Sequence, residues 1–407
     1  MLPLTDPIEQ RIAETVQANK PALVDFCRRL IQTPSVNGMD DELHVAELIA
    51  AEARKLGLSI QIVGAQPNRP NVIASTRDSG ETGLLLLGHL DTVPPGDLSS
   101  WMYPPFSGEI AGGKIYGRGA IDTKGGMAAA IYALAAVKDQ LKDGKRAQFI
   151  GVPDEESGAT GTLGIKWLSE HRFLSGKGAI YAYSGSEIIL GHRGLLRYRL
   201  ICTGQAIHTG AFEWQEQTSG ANAVTGMARL LLALEQINAA FPRSSAPYFE
   251  RFRTVMTPGT IISGGVSINI VPDGCEALID IRTTPENDPQ TIEALLDQAI
   301  SAIKSTNASL KFRYERLNFI PAVCSDERAP VFNILADLIP QVRGIPAVKT
   351  VAGPANEGYL LIERGIPTVC GFGPTGENFH AANEYVNVDG LVEAAQIFAL
   401  TAYRMSL

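Results

Sequence analysis

The chain has 407 residues, 45% hydrophobic and 19% charged, enough to bury a large core and to divide into two domains. Its formal charge of -8 argues against a surface that tracks nucleic-acid phosphates, because such affinity comes from Lys and Arg, and small molecules are the expected partners. Five widely spaced cysteines, Cys27, Cys202, Cys275, Cys324 and Cys370, fit reduced thiols in a cytoplasmic protein, and no leader-like start or bilayer-length apolar run predicts export or a membrane partner.

Residues 8–18, 21–31 and 41–56 carry apolar side chains at helical spacing, and 60–63, 72–75 and 84–87 read as short strands. The run Leu84-Leu85-Leu86-Leu87 has no polar face, which suits a strand buried on both sides of a parallel sheet. The Ala-rich segment 127–141 predicts a helix, and 147–152 predicts the next buried strand, ending at Pro153-Asp154-Glu155-Glu156. From about Leu196 the texture changes to the alternation of a half-exposed strand. A helix over 222–237, strands over 260–263 and 275–282, a helix over 289–305 and a strand over 310–316 follow. This β-α-β-β-α-β order resembles a ferredoxin-like sandwich. The remainder predicts a helix over 331–338, an apolar run at 367–371, a loop at 373–377 and a final helix over 389–405. The expected domains are a catalytic part over 1–195, an inserted part over 196–318 and a resumed catalytic part over 319–407.

Four clusters carry the chemistry: Gly88-His89-Leu90-Asp91, Gly119-Ala120-Ile121-Asp122, Asp154-Glu155-Glu156, and Phe379-His380-Ala381-Ala382-Asn383-Glu384. Several sit where strands end and a glycine-rich or helical stretch begins, the usual place for ligand sites in α/β sheets. His with Asp or Glu suits zinc, cobalt or manganese, which makes His89, Asp122, Glu156 and His380 candidate ligands. Adjacent glutamates can divide labour, Glu156 binding metal while Glu155 takes a proton from water. Asp91, two residues beyond His89, is placed to accept the second ring N–H of that histidine and fix its tautomer. Each cluster also fits a plainer role: Asp122 as a helix cap, the acidic run as a solvated helix start, His380 as a surface histidine.

Taken in order, Gly88-His89-Leu90-Asp91-Thr92-Val93-Pro94, Gly117-Arg118-Gly119-Ala120-Ile121-Asp122-Thr123-Lys124-Gly125-Gly126 and Pro153-Asp154-Glu155-Glu156 resemble the family of acetylornithine deacetylase, succinyl-diaminopimelate desuccinylase, aminoacylase and glutamate carboxypeptidase. The resemblance continues through Ala206-Ile207-His208-Thr209, Gly264-Gly265-Val266-Ser267-Ile268-Asn269-Ile270-Val271-Pro272 and His380-Ala381-Ala382-Asn383-Glu384. It implies an α/β fold with a zinc-peptidase-like mixed sheet flanked by helices, and an inserted ferredoxin-like α+β lid that also forms a homodimer. It also implies amide hydrolysis, with Asp122 bridging two metal ions, His89 on one, Glu156 and His380 on the other, and Glu155 as general base. His208 is similar to a histidine that stabilises the oxyanion. Asn269 and Arg282 match substrate positions, Arg282 suiting a free carboxylate, although a structural salt bridge fits Arg282 as well.

Two departures stand out. The family's Asp or Glu about a dozen residues before Arg193-Gly194 falls on Ala182, which has no donor atom, and Tyr183, Ser184 and Glu187 are the nearby substitutes. In Gly353-Pro354-Ala355-Asn356-Glu357, Ala355 stands where relatives carry an aspartate. The expectation is therefore one tight ion on Asp122, Glu156 and His380, with the position near His89 weak or empty. The leading function is a metal-dependent amidohydrolase acting on an N-acyl amino acid or peptide-like substrate. The alternatives are a single-metal aminohydrolase acting on another C–N bond of a small carboxylated compound, and a binding protein with a degraded site.

Overall fold

The computed structural model describes residues 4–306 and 308–407. The chain forms two compact units. One runs to Gly191 and resumes over Cys324–Ala352 and Asn356–Leu407, and the other comprises His192–Val323 with Gly353–Ala355. The sequence placed these boundaries a few residues away, at 195/196 and 318/319.

The first unit is built on a mixed six-stranded sheet in the order Ser59–Val63, Asn71–Ser75, Lys145–Val152, Glu81–His89, Gly178–Ala182, Thr368–Phe372. The last four strands are mutually parallel, and the first two join antiparallel at one edge. Leu84 to Leu87 are fully buried, as a strand covered on both faces requires. The helices Gly125–Val137 and Val388–Ser406 pack against the sheet and against each other. The first of them is buried almost all round, which is why its sequence is Gly and Ala with scattered large residues rather than an amphipathic stripe.

Register fixes which strand ends meet. His89 pairs with Val152 and Leu87 with Tyr181, so His89-Leu90-Asp91, Asp154-Glu155-Glu156 and Ala182-Tyr183 emerge side by side from the carboxyl ends of three adjacent strands. A small antiparallel sheet, ordered Gly376–Glu377, Tyr385–Asn387, Lys114–Tyr116, Glu109–Ala111, frames the loop that carries His380. The strand Gly178–Ala182 was not expected from sequence. All five of its residues are buried, and Gly178-Ala179-Ile180-Tyr181-Ala182 shows neither alternation nor the enrichment in β-branched or large apolar residues that marks the expected strands.

In the second unit Gly194–Thr203, Ala223–Ala240, Val255–Gly264, Gly274–Thr283, Pro289–Thr306 and Lys311–Ile320 follow one another as strand, helix, strand, strand, helix, strand. The antiparallel sheet order places Val255–Gly264, Gly274–Thr283, Gly194–Thr203 and Lys311–Ile320 in sequence, which is the ferredoxin-like arrangement. Leu196, Tyr198, Leu200 and Cys202 alternate into a core with Met227, Leu230, Ile292 and Leu296 of the two helices. The intervening Arg197 faces away and pairs with Asp280 at 2.9 Å. Among the described residues no helix is long and apolar enough to cross a membrane.

Close approach of the Gly125–Val137 helix to the sheet depends on Gly126, where an added Cβ would collide with the main-chain oxygen of Ala182. Backbone cannot move aside as a flexible side chain can, so Gly126→Ala should destabilise the fold by roughly 3 kcal/mol. Gly274→Ala, which meets nothing within 4 Å, should stay within about 0.5 kcal/mol. Urea unfolding of the two variants checks this, and equal midpoints would refute it.

Candidate metal centre

His89 leaves its strand fully buried, and its two ring nitrogens have different partners. Nδ1 lies 2.8 Å from the main-chain oxygen of Asp91, and Nε2 lies 2.8 Å from Asp122 Oδ1. A carbonyl can only accept, so Nδ1 carries the proton and Nε2 is directed at the carboxylate. The expected support behind His89 is thus supplied by the backbone of Asp91. The Asp91 carboxylate is 3.5 Å from Nδ1 and serves the neighbouring strand end, accepting from Asn37 Nδ2 at 2.5 Å, Glu156 N at 3.0 Å and Glu155 N at 3.3 Å. It therefore fixes the turn that presents the two glutamates.

Asp122 does not cap the following helix, whose N-cap is Lys124. It is buried, and its second oxygen accepts from Tyr183 Oη at 2.9 Å and stands 3.1 Å from His380 Nε2. His380 Nε2 is also 3.2 Å from Glu156 Oε1. That oxygen is off the ring's hydrogen-bonding direction, for it is buried and accepts no hydrogen bond, so its lone pairs are left for another partner. Donor atoms of His89, Asp122 and Glu156 all lie within 4.8 Å of one another. All four predicted ligands therefore converge.

The electrostatics express a demand for positive charge. The hydrogen bond to Asp122 and the nearby Glu156 carboxylate push the His380 imidazole up to about 10 against the cost of its partial burial. Burial, the largest influence on His89, disfavours its charged form, yet Asp122 and Asp91 raise it well above the ordinary value. Burial would also raise Asp122, but His380 and His89 outweigh it and hold that carboxyl well below its usual range. Glu155, buried beside Glu156, Asp122 and Asp91, is pushed up to about 8, chiefly by desolvation. Imidazole nitrogens and carboxylate oxygens facing each other at these distances fit a divalent cation, which takes the place of the protons they otherwise share.

The turn carrying Asp122 is held by Glu384, a residue to which the sequence assigned no role. Its buried carboxylate accepts from Arg118 Nη1 at 2.5 Å, Gly119 N at 3.0 Å, Ile121 N at 3.0 Å and Asp122 N at 3.2 Å. The signal was the acid four residues after His380, read only as part of a motif. Asp154 and His380 adopt left-handed backbone, with φ of 68° and 56°. Such conformations cost roughly 1 to 3 kcal/mol each and persist where the surroundings impose them.

Of the two departures from the family pattern, Ala182 is buried at the end of its strand, and the next residue, Tyr183, is the one that reaches Asp122. Its ring also stacks on Phe379, with centroids 6.4 Å apart. The other predicted residues belong to the second unit. His208 is exposed, and its Nδ1 accepts the Gly210 N–H at 3.0 Å, which leaves the ring proton on Nε2. Asn269 is bound beside it, its main-chain oxygen accepting from Thr209 N at 3.0 Å. Arg282 makes the ion pair anticipated as its plainer role, Nε to Asp280 Oδ2 at 2.8 Å. Arg193, which sequence reasoning used only as a landmark, is partly buried close to Arg282. Desolvation and the Arg282 charge both lower its pKa.

The model for Peptidase family M20/M25/M40 matches residues 85–404. The succinyl-diaminopimelate desuccinylase of Methylocella silvestris is 28% identical over 392 residues, covering 92% of this chain and 96% of that protein. Among solved structures, the M20 family metallo-carboxypeptidase Sso-CP2 from Sulfolobus solfataricus superposes with a TM-score of 0.75 at 19% identity, covering 95% of this chain and 98% of that one. The di-peptidase Dug1p from Saccharomyces cerevisiae gives 0.74 at 18%, covering 98% of each. The family match spans most of the sequence and includes every residue of the converged centre except those contributed by flanking support, so the chain belongs to peptidase family M20/M25/M40 and, with it, to the metal-dependent amidohydrolases.

Proposed function

We propose that this chain hydrolyses the amide C–N bond of an N-acyl amino acid or small peptide bearing a free carboxylate. The observation that carries the reading is the pairing of a convergent donor set, His89, Asp122, Glu156 and His380, with a buried carboxyl on the adjacent Glu155. A divalent ion bound there, zinc in our reading with manganese or cobalt as alternatives, supplies Lewis acidity and makes water acidic enough to react near neutral pH. With the charge of such an ion beside it to favour the carboxylate form, Glu155 takes a proton from the attacking water as its oxygen bonds to the carbonyl carbon. As the C–N bond breaks, the same carboxyl returns that proton to the leaving amine. Asp91 keeps Glu155 and Glu156 in place through their main-chain N–H groups.

From the second unit we assign His208 to the carbonyl oxygen as an Nε2–H donor, and Asn269 and Arg282 to substrate, with the Arg193 and Arg282 guanidinium pair attracting the free carboxylate. We also assign this unit the lid and homodimer role. Ile261 and Ile262 on its edge strand, and Val266 and Ile268 just beyond, are exposed, as an unpartnered apolar edge would be. A cytoplasmic location accords with five free cysteines.

One tight ion per chain is proposed, on Asp122, Glu156 and His380. Ala182 offers no ligand, and the neutral Tyr183 hydroxyl donates to Asp122 instead of adding an anionic donor. His89 lies within the same donor cluster, which favours a single locus. The same feature favours, as a second reading, a single-ion aminohydrolase acting on another C–N bond of a small carboxylated compound.

Metal analysis of purified protein should give one tightly held equivalent per chain, and exhaustive chelation should abolish turnover. Two tight equivalents would refute the one-ion assignment. Amine release from N-acyl amino acids, dipeptides and aryl amines, with added zinc, manganese or cobalt, separates the readings. Glu155→Gln should lower kcat on the active substrate by about 10²- to 10⁴-fold without losing metal, and a variant near wild-type rate would remove Glu155 from the mechanism. Glu384→Gln, which weakens the clamp on the Asp122 turn, should reduce metal affinity roughly 10- to 100-fold in chelator competition while circular dichroism shows the protein folded. Wild-type affinity would deny Glu384 its positioning role.

A further inference from the structure

Behind Glu155 lies a buried carboxyl that the reaction scheme does not use. Glu357 is fully buried at the start of the short helix Gly358–Ile362, and neither of its side-chain oxygens has a hydrogen-bond partner among the described residues. Buried carboxyls without partners are rare, because desolvation costs several kcal/mol unless hydrogen bonds replace the lost water. The same holds for the hydroxyl of Tyr181, buried on the strand Gly178–Ala182, and for Asp154 Oδ1 at the start of the acidic turn.

These groups lie around one turn. Asp154 Oδ2 accepts from Leu163 N at 3.1 Å, which closes the segment that begins with Glu155. Gly161 in that segment presents bare backbone to Glu357, since a Cβ there would stand 3.2 Å from Glu357 Oε1. Burial, and after it the Glu155 and Asp154 carboxylates, disfavour the charged form of Glu357, and burial with Glu357 and Glu155 does the same for the Tyr181 hydroxyl. Buried polar oxygens without a protein partner are the groups that ordered water satisfies, each molecule needing two to four polar partners.

We propose that Glu357 is a positioning residue for Glu155, joined to it through ordered water in a buried chamber that Tyr181 also lines. This rests on the hydrolase reading of the centre. Glu357 is buried with no donor to either side-chain oxygen, which favours its neutral form over a charged one, and the neighbouring carboxylates act in the same direction. A neutral carboxyl both donates and accepts. It can therefore donate, through water, to the Glu155 carboxylate and hold the oxygen that must receive a proton from the attacking water. A charged Glu357 would instead repel Glu155.

A neutral carboxyl is mimicked by an amide, and that supplies the test. Glu357→Leu should lower kcat at least about 10-fold, with KM and metal content within roughly twofold of wild type, and Glu357→Gln should recover most of the loss. An unchanged kcat in Glu357→Leu, a Gln variant no better than Leu, or loss of metal in proportion to activity would overturn the proposal. Should Glu357→Leu not fold, Tyr181→Phe carries the same test, with a smaller fall in kcat at unchanged KM expected and no fall overturning it. A high-resolution crystal structure of the wild-type protein decides independently of turnover. Water within hydrogen-bond distance of both Glu357 and Glu155 is expected, and a dry chamber would overturn the inference. If wild-type protein released no amine from any substrate, the hydrolase reading would fail, while the water positions would still judge the chamber.

Discussion

Crowded negative charge, withdrawn from water, is the constraint to which the first unit is built. Asp91, Asp122, Glu155 and Glu384 are buried within one region, and each such group calls for compensating donors or positive charge. Asp91 takes main-chain amides and Asn37, Glu384 takes Arg118 and three amides, and Asp122 takes two imidazoles and a phenol. What remains uncompensated is local: Glu156 Oε1, the histidine nitrogens that face carboxylates, and Glu155. That residue of unmet charge is where a cation belongs.

Rigid support explains how so many like charges are kept together. Parallel strands place His89, the acidic turn and Tyr183 at neighbouring carboxyl ends, so their spacing is set by the strand-to-strand repeat of about 4.8 Å and not by loop conformation. The loops then add what the sheet cannot reach. His380 and Asp154 hold left-handed backbone, and Glu384 ties the His380 loop to the Asp122 turn through four hydrogen bonds. The close approach of Gly126 to Ala182 seats the helix that follows that turn. Precision at the centre thus comes from the core beneath it.

Tyr183 shows how a departure from a family pattern can be absorbed. Where a carboxylate would add one more negative charge, the strand ends in an alanine and the next residue swings a neutral hydroxyl onto Asp122. A donor in place of an acceptor lowers the local demand for cations, which is what supports the proposal of one tight ion. The Ala355 departure has a related context, since two residues on the same loop supplies Glu357, an acid that the motif comparison passed over.

Much of this was legible in the linear sequence. The Leu84–Leu87 run, the Ala-rich helix and the alternating 197–201 segment announce themselves by period and composition, because burial on two faces, all round or on one face leaves different patterns. The ligand candidates His89, Asp122, Glu156 and His380 are also legible there, since few side chains bind metal and several of them follow a recognisable strand end. The strand Gly178–Ala182, poor in β-branched residues and without alternation, is not legible there, and neither are the clamp made by Glu384 and the isolation of Glu357. Those are properties of distance and desolvation between residues hundreds of positions apart. A sequence determines which donors and acids exist; only tertiary structure decides which of them are paired, because partners are set by packing in space and the cost of leaving one unpaired exists only once water has been excluded.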